Sequence, residues 1–231
     1  SSAASDVYKR QVYDFAKYFI KNGANFAQNT YDGNMKLQKL LVLADMAYMA
    51  QEYQQLFNDE IVVVGNGLVV EKVWLRYRND YYGLKVDSEK FNPDFTEEEY
   101  ETLNAVLGIY GFLSARELSK LIHSFKVWRM AYQNEMAENG HQTKLAVDFT
   151  AYPEDIAAVG RALKAYAETM RTPHKYELIN GIKFCYDDIE MTDELIGKLE
   201  RISKVCEDDA YSIGIDLSLI HISEPTRLLS I

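Results

Sequence analysis

Between Met35 and Tyr48 the chain reads Met-Lys-Leu-Gln-Lys-Leu-Leu-Val-Leu-Ala-Asp-Met-Ala-Tyr. Within that run Leu37, Leu40, Leu41, Ala44, Ala47 and Tyr48 recur at three- and four-residue steps, while Lys36, Gln38, Lys39 and Asp45 fall at other angles. The spacing predicts an amphipathic helix from about Met35 to Tyr53, and a helix with so dense an apolar stripe needs other elements to bury it. The rest of the chain supplies them in helical form. Val12, Phe15, Ala16, Phe19 and Ile20 have one-sided helical spacing up to Gly23. Thr96-Glu97-Glu98-Glu99 and Ser114-Ala115-Arg116-Glu117 each have the capping-box form, in which a hydroxyl accepts from the third amide and the glutamate reaches back. Helices are expected to follow both boxes, and another from Lys126 to Glu138.

Shorter signals interrupt this helical pattern. Ile61-Val62-Val63-Val64 is a β-branched run with strand character, Gly65-Asn66-Gly67 a turn, and Leu68 to Arg78 a return to helix. Lys85 to Asp94 reads as a polar linker. Beyond Pro153-Glu154-Asp155, suited to a helix N-terminus, a helix to about Met170 is expected. Lys175–Ile179 and Ile182–Tyr186 flank Asn180-Gly181 as a hairpin, Thr192 to Cys206 is helical, and Tyr211 to Ile215 alternates like a strand. The predicted fold class is mainly α: a compact helical domain with a short β element, then a small α+β appendage of hairpin, helix and strand.

The two ends read differently. Asp6-Val7-Tyr8-Lys9-Arg10-Gln11 can be encoded by GAT GTG TAT AAG AGA CAG, whose reverse complement translates as Leu217-Ser218-Leu219-Ile220-His221-Ile222. Opposite strands of one DNA element thus account for both, and residues 1–11 and 217–231 read as translated sequencing adapter from shotgun-sequenced DNA, outside the fold. The expected organisation is a helical domain over 12–140 and an extension over 141–216, truncated at its end.

With 25 basic and 35 acidic residues the chain is acidic, and setting aside the ends (Lys9, Arg10 and Arg227 against Asp6 and Glu224) makes it slightly more so. A nucleic-acid binder carries a basic footprint, because phosphate neutralisation supplies most of its affinity; the balance here argues against that class. No apolar run is long enough for a membrane span. Cys185 and Cys206 lack the spacing of a zinc or redox motif, so two buried thiols in a reducing cytoplasm are expected.

In order along the chain, the Leu37-Gln38-Lys39-Leu40-Leu41 helix with Ala44 and Tyr48, Gly67-Leu68-Val69-Val70 running to Trp74, and His123 with Trp128 resemble the Panacea domain, the SocA-like family of bacterial and phage antitoxins. Two positions depart from the family pattern: Leu68 and Val127 stand where proline is usual. The resemblance covers roughly residues 12 to 136. It implies a mostly helical, non-enzymatic protein that binds a cognate protein toxin directly. The second reading it implies is a proteolytic adaptor handing a toxin to an energy-dependent cytoplasmic protease. A phage-associated nucleic-acid regulator ranks below both.

No constellation of residues carries catalysis. Gly65-Asn66-Gly67 lacks the third glycine and the lysine-serine ending of a phosphate loop. His123, His141 and His174 sit on separate elements without metal-ligand spacing, and His123 reads as structural. The acidic group Asp187, Asp188, Glu190, Asp193 and Glu194 lacks a calcium loop's central glycine and reads as a solvated run. No cofactor or metal is expected. Lys36 and Lys39 repel one another unless a carboxylate relieves them, either an internal one such as Asp59 or Glu60, which is the favoured reading, or a partner's. Trp74 reads as core. The Lys36/Lys39 edge and a Tyr81-Tyr82 loop are the expected exposed contacts for a partner.

Overall fold

Thr30 and Tyr53 bracket the central helix. The Thr30 hydroxyl accepts from the Gly33 amide at 3.1 Å, and Tyr53, in the left-handed region at φ 57°, closes the other end by donating to the Met49 carbonyl. The computed structural model describes residues 11–22, 28–139, 145–171, 175–179, 182–186, 192–208 and 220–223. The expectations for Tyr211–Ile215, His141, His174 and the Asp187–Glu190 cluster lie outside them. Two compact units divide the chain, residues 1–169 and 170–231.

In the first unit α1 (Val12–Asn22) and α2 (Tyr31–Glu52) are followed by β1 (Ile61–Val64) and β2 (Gly67–Val70). Then come α3 (Glu71–Asn79), α4 (Tyr81–Lys90), α5 (Glu97–Tyr110), α6 (Ala115–Ser124), α7 (Lys126–Asn139) and α8 (Pro153–Arg171). The central helix α2 packs on α1, α3, α5, α6 and β2. Its expected one-sidedness does not hold: every residue from Gly33 to Ala47 is buried, polar ones included. With neighbours on all sides it is a core helix. Tyr48 is half-buried against the same core.

Both capping boxes form as the sequence predicts, with Thr96 and Ser114 each accepting from the third amide and Glu99 and Glu117 each reaching back at 2.8 Å. Helix α7 is capped from afar. Asp155 of α8, itself buried, accepts from the Lys126 and Val127 amides at 3.0 and 2.7 Å. Val159 and Leu163 of α8 lie in the same core.

Two segments differ from the sequence expectation. Leu68–Val70 is strand rather than helix: Gly65-Asn66 makes a two-residue turn, and β2 pairs antiparallel with β1, Ile61 opposite Val70 and Val64 opposite Gly67. An isolated β-branched run has no partner for its backbone groups, and the nearest one able to fold back wins over helix propensity. The supposed linker after Lys85 is the body of α4, because the Asp80 carboxylate accepts from the Gly83 amide at 3.1 Å and starts a helix there.

The second unit holds β3 (Lys175–Ile179), β4 (Ile182–Tyr186), α9 (Asp193–Asp208) and β5 (Ile220–Ser223) in an antiparallel sheet of order β3-β4-β5, with α9 against β3. The third strand falls within the adapter-like stretch, where Ile220 to Ser223 pairs with the edge of β4. An open strand edge accepts any β-prone segment within reach.

Leu40 is fully buried in the middle of α2. Leu40→Ala is expected to lower the unfolding free energy of the first unit by roughly 2–5 kcal/mol, read as a shift of the urea midpoint with the slope unchanged. A shift below about 1 kcal/mol would mean that the core closes over the missing atoms.

Candidate functional site

The β1–β2 hairpin is too short to hold itself, since an isolated two-stranded ribbon is marginal in water. On its β1 side, Val63 donates to the Leu145 carbonyl and Ile61 accepts from Val147, both at 2.9 Å. On its β2 side the partners are side chains. The Val70 amide donates to Gln38 Oε1 at 2.8 Å, and Lys39 Nζ donates to the Leu68 carbonyl at 3.0 Å. Gln38 in turn donates to Asn34 Oδ1 at 3.2 Å, and Asn34 to the Trp74 carbonyl at 3.0 Å, carrying the chain of bonds from α2 to α3. The polar pair inside the buried helix thus stands in for a third strand.

The turn is held from α6 and α7. Trp128 Nε1 donates to the Val64 carbonyl and Ser119 Oγ to the Asn66 carbonyl, each at 3.0 Å. His123 forms a backbone hydrogen bond with Gly65 and stacks on Trp128 at 3.9 Å, and Trp128 stacks on Tyr132 at 4.9 Å. His123 Nε2 is buried without a hydrogen-bond partner. Burial first, and the neighbouring Lys39 second, hold this imidazole below its ordinary pKa, so it is neutral at pH 7.

Gly67 is the point where the hairpin meets Lys39. Its φ is +114°, and a Cβ there would stand 2.8 Å from both Cε and Nζ of Lys39. Only glycine allows both the conformation and the approach. Along the ribbon Ile61, Val63, Leu68 and Val70 are core residues, whereas Val62, Val64, Gly67 and Val69 alternate onto the opposite face. The lysine terminus therefore emerges where that second face has no side chain.

This second face forms one wall of a cleft of about 500 Å³. Val62, Val64 and Val69 line it, with Tyr31 and Met35 from α2, and Glu71, Trp74 and Arg78 from α3. Lys39 also lines it, although the whole residue has no exposed surface. Tyr31 meets Trp74 edge-on at 5.5 Å and accepts from Asn66 at 2.6 Å, closing the rim. Burial alone brings the Lys39 amine down to about 7. No carboxylate among the described residues acts on it.

The expected exposed lysine edge is corrected by these contacts. Lys39 is buried because it serves the β2 edge, and Lys36 is 7% exposed, facing Glu117 of α6. Neither proposed internal carboxylate relieves Lys39: Asp59 pairs with Lys72 and accepts from the Val12 amide. Tyr81 is buried against Tyr77, so the expected exposed tyrosine pair splits; Tyr82 stays 67% exposed, on helix α4 rather than a loop. Leu37, Leu40, Leu41 and Ala44 are buried in the core, Val69 and Val70 in the hairpin, while Trp74 and Trp128 are half-buried, Trp74 accepting from Asn34 through its carbonyl and Trp128 donating from its ring to the hairpin at Val64. Asn34 and Ser119 were not singled out by sequence. A polar residue one helical turn before Gln38 was the available signal for Asn34; Ser119 carried none.

Residues 37–129 match the family model of the antitoxin SocA-like, Panacea domain. This segment is similar to the Panacea domain. The match begins at Leu37, one residue before the pair that holds the β2 edge, and ends just after Trp128, so it encloses the hairpin and its Gln38, Lys39, Ser119 and Trp128 contacts, while Asn34 and the Leu145 and Val147 partners of β1 lie outside it. Neither the curated proteins nor the solved structures contain a match to the chain. Both departures from the family pattern fit this hairpin. Leu68 faces Val63, which turns its amide away to Leu145, so this pair exchanges no ladder bonds and the proline usual there would break none. Val127 lies in the first turn of α7, where proline is tolerated; here its amide goes to Asp155. Among the described residues there is no group of three or more metal-ligating side chains, and no helix is long and apolar enough to cross a membrane.

Two outcomes follow. Gly67→Ala is expected to cost about 1–3 kcal/mol for the backbone conformation alone, with a further loss from displacing Lys39, and to depress the melting temperature accordingly. The second outcome is a pH dependence. Because the folded pKa of Lys39 lies near 7, below its ordinary 10.5, the unfolded chain binds more protons between those values. Stability should therefore rise with pH from about 7 upward, and the Lys39 contribution is lost as pH falls through 7. Urea unfolding between pH 7 and 9.5, below the range where the buried tyrosines ionise, should show a rise in the parent protein. The rise should be absent in Lys39→Met.

Proposed function

We propose that the protein is an antitoxin that neutralises a cognate protein toxin by direct contact, without catalysis, in a bacterial or phage toxin–antitoxin locus. The antitoxin family match over residues 37–129 carries this reading. The acidic balance is compatible with a basic toxin, since opposite charge steers encounter. For contact residues, the reading takes Tyr82 and Val86, one turn apart on α4 and 67% and 45% exposed, as an aromatic and aliphatic pair standing out of a helix surface. Lys36, Lys39 and Tyr81 do not belong to that exposed surface.

Co-expression with the product of the adjacent gene tests the proposal: growth is restored and the two proteins co-purify at equal toxin levels. If no neighbouring product is toxic, or the toxic one is unrelieved, the reading fails. Toxin abundance separates a second mechanism, delivery to an energy-dependent protease, because delivery lowers the toxin level and requires the protease gene. Tyr82→Ala is expected to retain the parent's thermal transition and to weaken the complex about tenfold or more, as loss of an aromatic anchor does. Unchanged affinity would move the contact surface elsewhere.

A further inference from the structure

The cleft beside the hairpin is lined by a lysine amine on which no counter-charge acts among the described residues. Lys39 lies against Gly67 in the wall of the cleft, has one hydrogen bond to the Leu68 carbonyl, and retains two further N–H donors when charged. A lone buried ammonium is costly, and an entering anion would remove that cost. The other charged groups facing the cleft are Glu71 and Arg78 of α3, with His123 of α6 behind the turn and acting on Lys39 as a neutral neighbour. Arg78 is exposed at the rim, placed to draw in negative charge. Glu71 disfavours a multiply charged anion such as phosphate. The remaining lining is apolar and aromatic, Val62, Val64, Val69 and Trp74, and the volume suits a group the size of one or two residues.

We propose that this cleft captures a carboxylate carried on an apolar residue, the C-terminal end of a partner protein chain, with Lys39 meeting the carboxylate and the valine face and Trp74 holding the side chain. Chain-end carboxylates are recognised elsewhere by N–H donors that converge on them, and an adjoining apolar slot fits the side chain. That the carboxylate comes from a protein rests on the antitoxin reading above; the chemistry of the site does not. Binding should charge the lysine, since an opposite charge at contact distance favours the ammonium form.

The test uses the full chain and three probes: acetyl-Ala-Phe with a free carboxylate, the same peptide as its C-terminal amide, and hexanoate. Binding is followed by amide chemical shifts and by the Lys39 Cε resonance. The free acid peptide should perturb Val62, Val69 and Trp74 saturably, and should move the Lys39 titration midpoint up from about 7 by at least one pH unit. The amide should bind at least tenfold more weakly and leave the midpoint in place. Equal binding of acid and amide, or no perturbation by the acid peptide at millimolar concentration, overturns the proposal. Hexanoate binding as tight as the peptide's overturns the assignment to a chain end. Lys39→Met should abolish the perturbation. If that variant does not fold, Arg78→Gln at the exposed rim should still weaken peptide binding severalfold. Peptide binding without toxin relief would sink the antitoxin reading alone. Toxin relief without peptide binding would sink only this inference.

Discussion

The fold of the first unit depends on two side chains of one helix replacing a missing strand. A two-stranded ribbon leaves an outer edge whose amides and carbonyls need partners, and burying that edge without them would cost one to three kcal/mol for each group. Gln38 and Lys39 supply one acceptor and one donor at the spacing of alternate residues on β2. That arrangement fixes the height of the hairpin along α2 and its rotation about its own axis. It also explains why Gln38 and Lys39 stand side by side in the fully buried part of the helix. A slip of one residue in β2 would turn Val69 toward the core and Leu68 away from it, and would present the wrong backbone groups to both side chains.

The same solution creates the one high-energy group in the domain. Glutamine can serve a strand edge neutrally, whereas lysine brings an ionisable amine into a volume where its charge is poorly solvated. The hairpin tolerates this because burial brings the amine down to about 7, where the neutral form is accessible at modest cost. His123 belongs to the same balance. Burial, and then the nearby Lys39, push it toward its neutral form. Trp128 covers the pair, and its indole hydrogen bond to Val64 ties the cover to the hairpin rather than to the helices alone.

Sequence periodicity captured the parts of this fold that depend on local chemistry. The capping boxes at Thr96 and Ser114, the helices they begin and the pairing of β3 with β4 in the second unit follow from residues within a few positions of each other. What it misread depends on partners far away in the chain. The β2 strand looks helical beside Lys72 and Trp74 until β1 is given as its neighbour, and the Asp80 cap that begins α4 is hidden behind a polar stretch. Lys39 looked exposed because lysine usually is; its use lies in the carbonyl of Leu68, 29 residues on. The motif itself was legible, but the reason for its polar members was not. The Gly67 requirement could have been read only by knowing which side chain passes beside it.

An invariant core and an adaptable surface are compatible in this architecture because the clamp faces inward. Gln38, Lys39, Ser119 and Trp128 each make a bond that ends on the hairpin backbone, which constrains the path of the ribbon without using the side chains on its second face. Val62, Val64 and Val69 can change size without touching those bonds, as can the α3 residues across the cleft. The α4 surface bearing Tyr82 is separated from the clamp altogether: α4 packs on α1 and α3, and Tyr81 rather than Tyr82 faces that packing. A domain arranged in this way can keep one motif while its contact surfaces diverge, since backbone hydrogen bonds hold the hairpin whatever side chains it presents outward.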